Sequence, residues 1–273
     1  MTKTATWGGL ATTSLATALC AVTAFPAWSA TLLPHRVAYD LAMINTDAGS
    51  GVSDVSGRMV MEFTGSRCEG YTTNFRFVMK VQDDDAKAVI TDLRTSTFET
   101  AEGDGFDFLS QTYTDQVLSE EVKGRATRSD DGVEVALLSP EKRTIPVAPK
   151  SVFPTANLTD MLAAAARGEG VLQAMVFDGS EGADKSYATT AIIGPPKTGA
   201  ANAVAAELSG MTFWQMNVSY FDPEKSGDTS PEYSMSFDLY ENGVADRLTL
   251  DYGELQLSGA MKTFEALPLS DCK

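Results

Sequence analysis

Apolar and polar residues alternate along most of the chain. Phe75, Phe77, Met79 and Val81 fall on one side of their segment, with Asn74, Arg76 and Lys80 on the other. Val37, Tyr39, Leu41 and Met43 repeat the pattern, and so do Trp214, Met216, Val218 and Tyr220 opposite Phe213, Gln215 and Asn217. A period of two marks a strand with one face against a core. Further strands are predicted over 55–63, 87–99, 106–113, 116–128, 132–138, 171–177, 186–193, 233–240, 244–252 and 254–265. Turn residues separate many of them: Asp131-Gly132, Asp222-Pro223 and Asn242-Gly243. Asn-Gly predicts a two-residue type I′ hairpin, because both residues accept positive φ. A dozen or more strands in series predict an all-β, antiparallel fold.

One stretch has helical spacing instead. After Pro154, the run Leu158, Met161, Leu162 and Ala165 predicts a helix, with Thr155 or Asn157 as its cap and Gly168 at its end. A weaker helix is expected over 201–208, after a break at Pro195-Pro196. The polar segments 178–184 and 222–231 read as surface connections. No repeat, low-complexity tract or long linker divides the chain, so residues 30–273 read as a single antiparallel β domain.

Residues 1–29 stand apart from this pattern. Lys3 precedes an uncharged run from Leu10 to Phe25, Pro26 breaks it, and Ala27 and Ser29 flank Trp28. That is the layout of a secretory signal peptide cleaved after Ser29, with an uncleaved membrane anchor as the alternative. The whole chain has 273 residues and a formal net charge of -16. Removing Lys3 leaves 20 basic residues against 37 acidic ones, a net of -17. Such an excess argues against nucleic acid as the main partner. Only Cys68 and Cys272 remain beyond the leader. A pair in an exported chain reads as a disulfide, the alternative being free or reactive thiols. The bond would bring the end of the chain back to an early strand and make one closed body.

Candidate chemistry is sparse. Asp83-Asp84-Asp85 is adjacent, not spaced as calcium ligands are, and reads as a turn; Glu102 to Asp107 reads as a hairpin loop. His35, the lone histidine, lies between Pro34 and Arg36 with no local nucleophile, and no G-x-S-x-G elbow occurs. A structural role is favoured for it. Asn157-Leu158-Thr159 and Asn217-Val218-Ser219 match the glycosylation pattern. No catalytic, cofactor-binding or metal-ligating set emerges.

Several blocks resemble the EipB-like family of periplasmic cell-envelope integrity proteins. They run in order from Leu33-Pro34-His35-Arg36-Val37 through Cys68-Glu69-Gly70-Tyr71, Asn74-Phe75-Arg76-Phe77, Phe153-Pro154-Thr155 and Tyr220-Phe221-Asp222-Pro223 to Tyr240-Glu241-Asn242-Gly243-Val244. The resemblance implies a spiral or incompletely closed β-barrel-like sheet, a Gram-negative periplasmic location and one disulfide, which maps onto Cys68 and Cys272. It also implies a periplasmic tetratricopeptide-repeat partner and no enzymatic activity. The leading expectation is therefore a non-enzymatic protein that supports envelope integrity through partner binding. The alternative is a carrier of a lipid or other apolar ligand, with Met59, Met61 and Met79 as candidate pocket residues.

Overall fold

The computed structural model describes residues 31–47, 49–199, 202–225, 230–270 and Cys272. The proposed leader, 1–29, lies outside the described residues. The N-terminal arm contains β1 (His35–Thr46), β2 (Val52–Ser66), β3 (Gly70–Asp83), β4 (Ala88–Glu99), β5 (Gly105–Thr114), β6 (Val117–Ser129), β7 (Gly132–Ser139) and β8 (Arg143–Val147). The C-terminal arm contains β9 (Ser151–Val152), β10 (Val171–Val176), β11 (Tyr187–Thr198), β12 (Thr212–Phe221), β13 (Tyr233–Tyr240), β14 (Ala245–Asp251) and β15 (Leu255–Ala266). One helix, α1 (Pro154–Ala166), follows β9. All fifteen strands join one sheet, in which β1 pairs with β15 at the centre and each arm runs outward strand by strand.

The outer edges of that sheet are β8 and β9, and these are neighbours in sequence. Only Ala148, Pro149 and Lys150 link them. Four Cα–Cα steps span at most about 15 Å, so the sheet must curl until its two edges nearly meet. The Ser151 N–H donates to Ala148 O at 2.9 Å, which tightens the link further. The result is a nearly closed, barrel-like sheet. Every strand pair is antiparallel except β9 with β10.

Alternation decides which face turns inward. Val37, Tyr39 and Leu41 of β1 are buried with Met59 of β2, Leu248 and Leu250 of β14, and Leu257 and Met261 of β15. The outer face carries charge pairs across strands: Arg36 joins Glu62 and Glu265, and Arg58 bonds Asp40. Arg76 and Arg94 both hold Asp92, whose carboxyl they push well below the ordinary range. α1 lies on the concave side of the C-terminal arm, where Met161, Leu162, Ala164 and Ala165 cluster with Ala191, Trp214, Met216 and Val218.

Several local expectations need correction. Neither Thr155 nor Asn157 caps α1: Phe153 occupies the N-cap without a side-chain bond, and Pro154 starts the helix. Gly168 does end it, in a Schellman arrangement with Gly168 N–H on Ala165 O and Glu169 N–H on Ala164 O, each at 3.0 Å. Pro195-Pro196 does not break β11, which runs through them with a register shift. Its neighbour β10 pairs only as far as Ile192, and on the β12 side the register shift falls between Ile193 and Pro196, where the ladder is already irregular. The helix expected over 201–208 is a kinked 3-10 segment, Ala203–Leu208; Ala201 lies outside the described residues. β8 and β9 were too short to show a period.

The hairpin at Asn242 is also not a two-residue one. The Gly243 N–H donates to Tyr240 O and the Tyr240 N–H to Val244 O, each at 2.8 Å. That is a three-residue loop with glycine at its left-handed position, φ 87°. Asn242 Oδ1 accepts the Val244 N–H at 3.2 Å, so its side chain serves the turn.

The interior cavity as candidate functional site

The two arms meet along a seam of four phenylalanines. Phe106 and Phe108 point inward from β5, while Phe153 and Phe177 arrive from the segments beside α1 and β10. Phe106 stacks on Phe153 with centroids 5.2 Å apart, and Phe177 meets Phe108 edge-on at 5.7 Å. The Arg128 guanidinium lies 5.1 Å above Phe153. This seam also corrects the reading of 178–184 as a plain surface connection. Gly179 sits so close to Phe108 that an added Cβ would lie 2.7 Å from its ring, and Ala183 is fully buried.

α1 is anchored by a residue that sequence reasoning missed. Glu99, at the end of β4, accepts the Thr155 N–H at 2.8 Å and the Ala156 N–H at 2.9 Å. A buried carboxylate from another strand thus does the work of a local cap and favours the positive end of the helix. Burial nevertheless pushes the Glu99 carboxyl above its ordinary value, outweighing the two donors and Arg128. A carboxyl raised in the fold stabilises fully below its unfolded pKa, and that contribution is lost as pH rises through the folded value. Glu99→Gln, which cannot titrate, is therefore expected to gain stability relative to the parent as pH rises above the ordinary glutamate range. Urea midpoints at each pH check this; a gap moving the other way would refute it.

Between seam and helix the concave face leaves a cavity of about 660 Å³. Phe75, Leu93, Phe106 and Phe108 give it apolar walls, Thr95, Thr97 and Ser110 give hydroxyls, and Asp178 and Ser180 close one side. The opposite wall is aromatic. Tyr187, Tyr233 of β13 and Tyr252 line it, and Tyr233 is backed by its direct register partner Tyr220 of β12, the two rings stacking with centroids 4.3 Å apart. Tyr187 meets both edge-on at 6.3 and 6.4 Å, and Tyr252 lies 6.0 Å from Tyr233. Burial raises the Tyr220 phenol to about 12 and drives Tyr233 higher still, so both rings stay neutral across the physiological range. Such a lining can enclose an apolar chain and hydrogen-bond a polar end.

A second cavity of about 190 Å³ lies beside His35, lined by Met61, Phe63, Thr73 and Leu158 among others. His35 is buried against Phe63 and Phe264, with ring centroids 6.0 and 5.8 Å away. Its Nδ1–H donates to Leu33 O at 2.7 Å, and among the described residues it bonds neither a nucleophile nor an acid. Burial pushes its pKa down. Met59, Met61 and Met79 are absent from the lining of the larger cavity, and Met61 lines this small one.

The other singled-out residues serve the framework. Cys68 and Cys272 come to disulfide distance, with Cα atoms 5.8 Å apart across a separation of 204. Asp83 Oδ1 accepts the Lys87 N–H in the turn after β3, and Thr100 Oγ1 organises the 102–105 loop by bonding Asp104 and Gly105. Asn157 is buried on α1, and Asn217 bonds Ser236 Oγ within the sheet. Among the described residues, no group of three or more His, Cys, Asp or Glu is placed to hold a metal, and no helix is long and apolar enough to cross a membrane.

A family model described as EipB-like matches residues 26–268. The chain belongs to this family. The cell envelope integrity protein EipB of Brucella abortus (strain 2308) is 39% identical over 232 residues, covering 84% of this chain and 82% of that one. The crystal structure of a β-barrel-like protein of the domain of unknown function DUF1849, also from Brucella abortus, superposes with a TM-score of 0.85 at 37% identity. The match takes in 88% of this chain and 100% of that chain. An EipB-like identity agrees with the resemblance carried by the blocks from Leu33 to Val244, and the nearly closed sheet agrees with the fold it implied.

Proposed function

We propose that this EipB-like chain is a non-enzymatic periplasmic protein that supports envelope integrity by holding an apolar envelope ligand in its central cavity. Membership in the family supports the envelope role. The observation that carries the ligand reading is the cavity itself, some 660 Å³ between the two arms with apolar walls and a tyrosine side. Deleting the gene is expected to sensitise cells to detergent, and the parent sequence to restore resistance. Ser110→Trp, which fills the cavity from β5, should fold but fail to restore it. Native mass spectrometry after delipidation and re-exposure to envelope lipids should find added mass on the parent and none on Ser110→Trp. Full complementation by Ser110→Trp, with no added mass on either protein, would sink this reading.

A second reading, docking of a periplasmic tetratricopeptide-repeat partner, is favoured by a different feature. Val89 and Ile90 at the start of β4 and Val117 and Leu118 at the start of β6 are exposed apolar residues at one end of the sheet. Strand addition at an edge is the less suitable mode, since β9 has two residues and β8 has five with Pro146 among them.

A further inference from the structure

We infer that the central cavity selects a ligand bearing an alkylammonium group on an apolar chain, and that Asp178 and Glu120 read its charge. This rests on the cavity being a ligand site, as proposed above. No lysine, arginine or histidine lines the cavity, whereas Glu120, Asp178 and Glu232 do. Glu232 is committed to Lys225, and Lys185, close to Tyr187, is committed to Asp222 at 2.8 Å. Asp178 accepts the Ser180 N–H at 3.0 Å, and among the described residues neither Asp178 nor Glu120 forms an ion pair.

The physical consequence is a charge preference. An anionic head entering this cavity would meet the half-buried Asp178 and, at the solvent-exposed rim, Glu120, and both carboxylates would repel it. A cationic head meets the same groups as partners. Tyr233 and the exposed Tyr252 add aromatic surface for a cation, whereas the Tyr187 ring already has the Lys185 ammonium 5.2 Å from its centroid. Phe75, Phe106 and Phe108 receive the apolar chain. The net charge of -16 favours the approach of a cation from solution but cannot by itself place it in the cavity.

The test is calorimetry on the exported protein with three probes below their micelle concentrations: octyltrimethylammonium, octanol and octanoate. Octyltrimethylammonium is expected to bind one per chain, about tenfold more tightly than octanoate. The Asp178→Asn, Glu120→Gln double variant should weaken the cation by about tenfold and leave octanol unchanged. Asp84→Asn, in the turn after β3, should change neither. Octanoate binding as tightly as the cation, or a cation affinity that the double variant leaves intact, overturns the proposal. So does an equal loss in Asp84→Asn, because the general field of the protein would then explain the preference. If octanol also fails to bind, the ligand-site reading itself falls.

Discussion

Phe153→Ala is expected to lower the unfolding free energy by about 3–5 kcal/mol, the range for truncating a buried aromatic. Phe153 has no exposed surface, stacks on Phe106 and meets Phe177 edge-on with centroids 6.5 Å apart. Phe106 belongs to β5 in one arm, whereas Phe177 follows β10 in the other, so this ring joins surfaces that no ladder hydrogen bond joins. Truncation also removes the platform beneath Arg128, whose buried Nε and Nη2 find no hydrogen-bond partner among the described residues. The result should be a lower urea midpoint at an unchanged slope, together with faster proteolysis at the 148–150 link. A loss below about 1 kcal/mol would show that the ladder alone holds the curl.

The difference between what the sequence disclosed and what it hid follows from the same seam. Alternation identified Phe75, Phe77 and Met79 as one face because strand periodicity is local. It could not say what that face would meet. Closure depends on β8 and β9, whose five and two residues carry no measurable period, and on a three-residue link. Glu99 was equally invisible: its partners are the N–H groups of Thr155 and Ala156, more than fifty positions away. The tyrosine wall assembles only when β12 and β13 pair Tyr220 with Tyr233, so its signal appears once register is known. His35 lies at the other extreme. The missing local nucleophile already argued for a structural role, and the ring is buried on Leu33 O.

Replacing both cysteines, Cys68→Ser with Cys272→Ser, is expected to lower stability by about 2–5 kcal/mol while leaving the folded structure unchanged. The reason lies in where the pair sits. β15 is already fixed beside β1 and ends at Ala266, so the folded chain is held near its end without the bond. Cys68 lies in the tight turn between β2 and β3, where Ser270 also bonds Glu69. The bond therefore acts mainly on the unfolded chain, which it ties across a separation of 204 residues. Freeing that chain makes it more expanded, so the urea slope should rise as the midpoint falls. Parent protein unfolded with a reducing agent present should match the double serine variant in both quantities. A drop in midpoint with no change in slope would place the effect in the folded state instead. Stability within about 0.5 kcal/mol of the parent would mean that the strand pairing of β1 with β15 persists in the denatured ensemble and already restricts it.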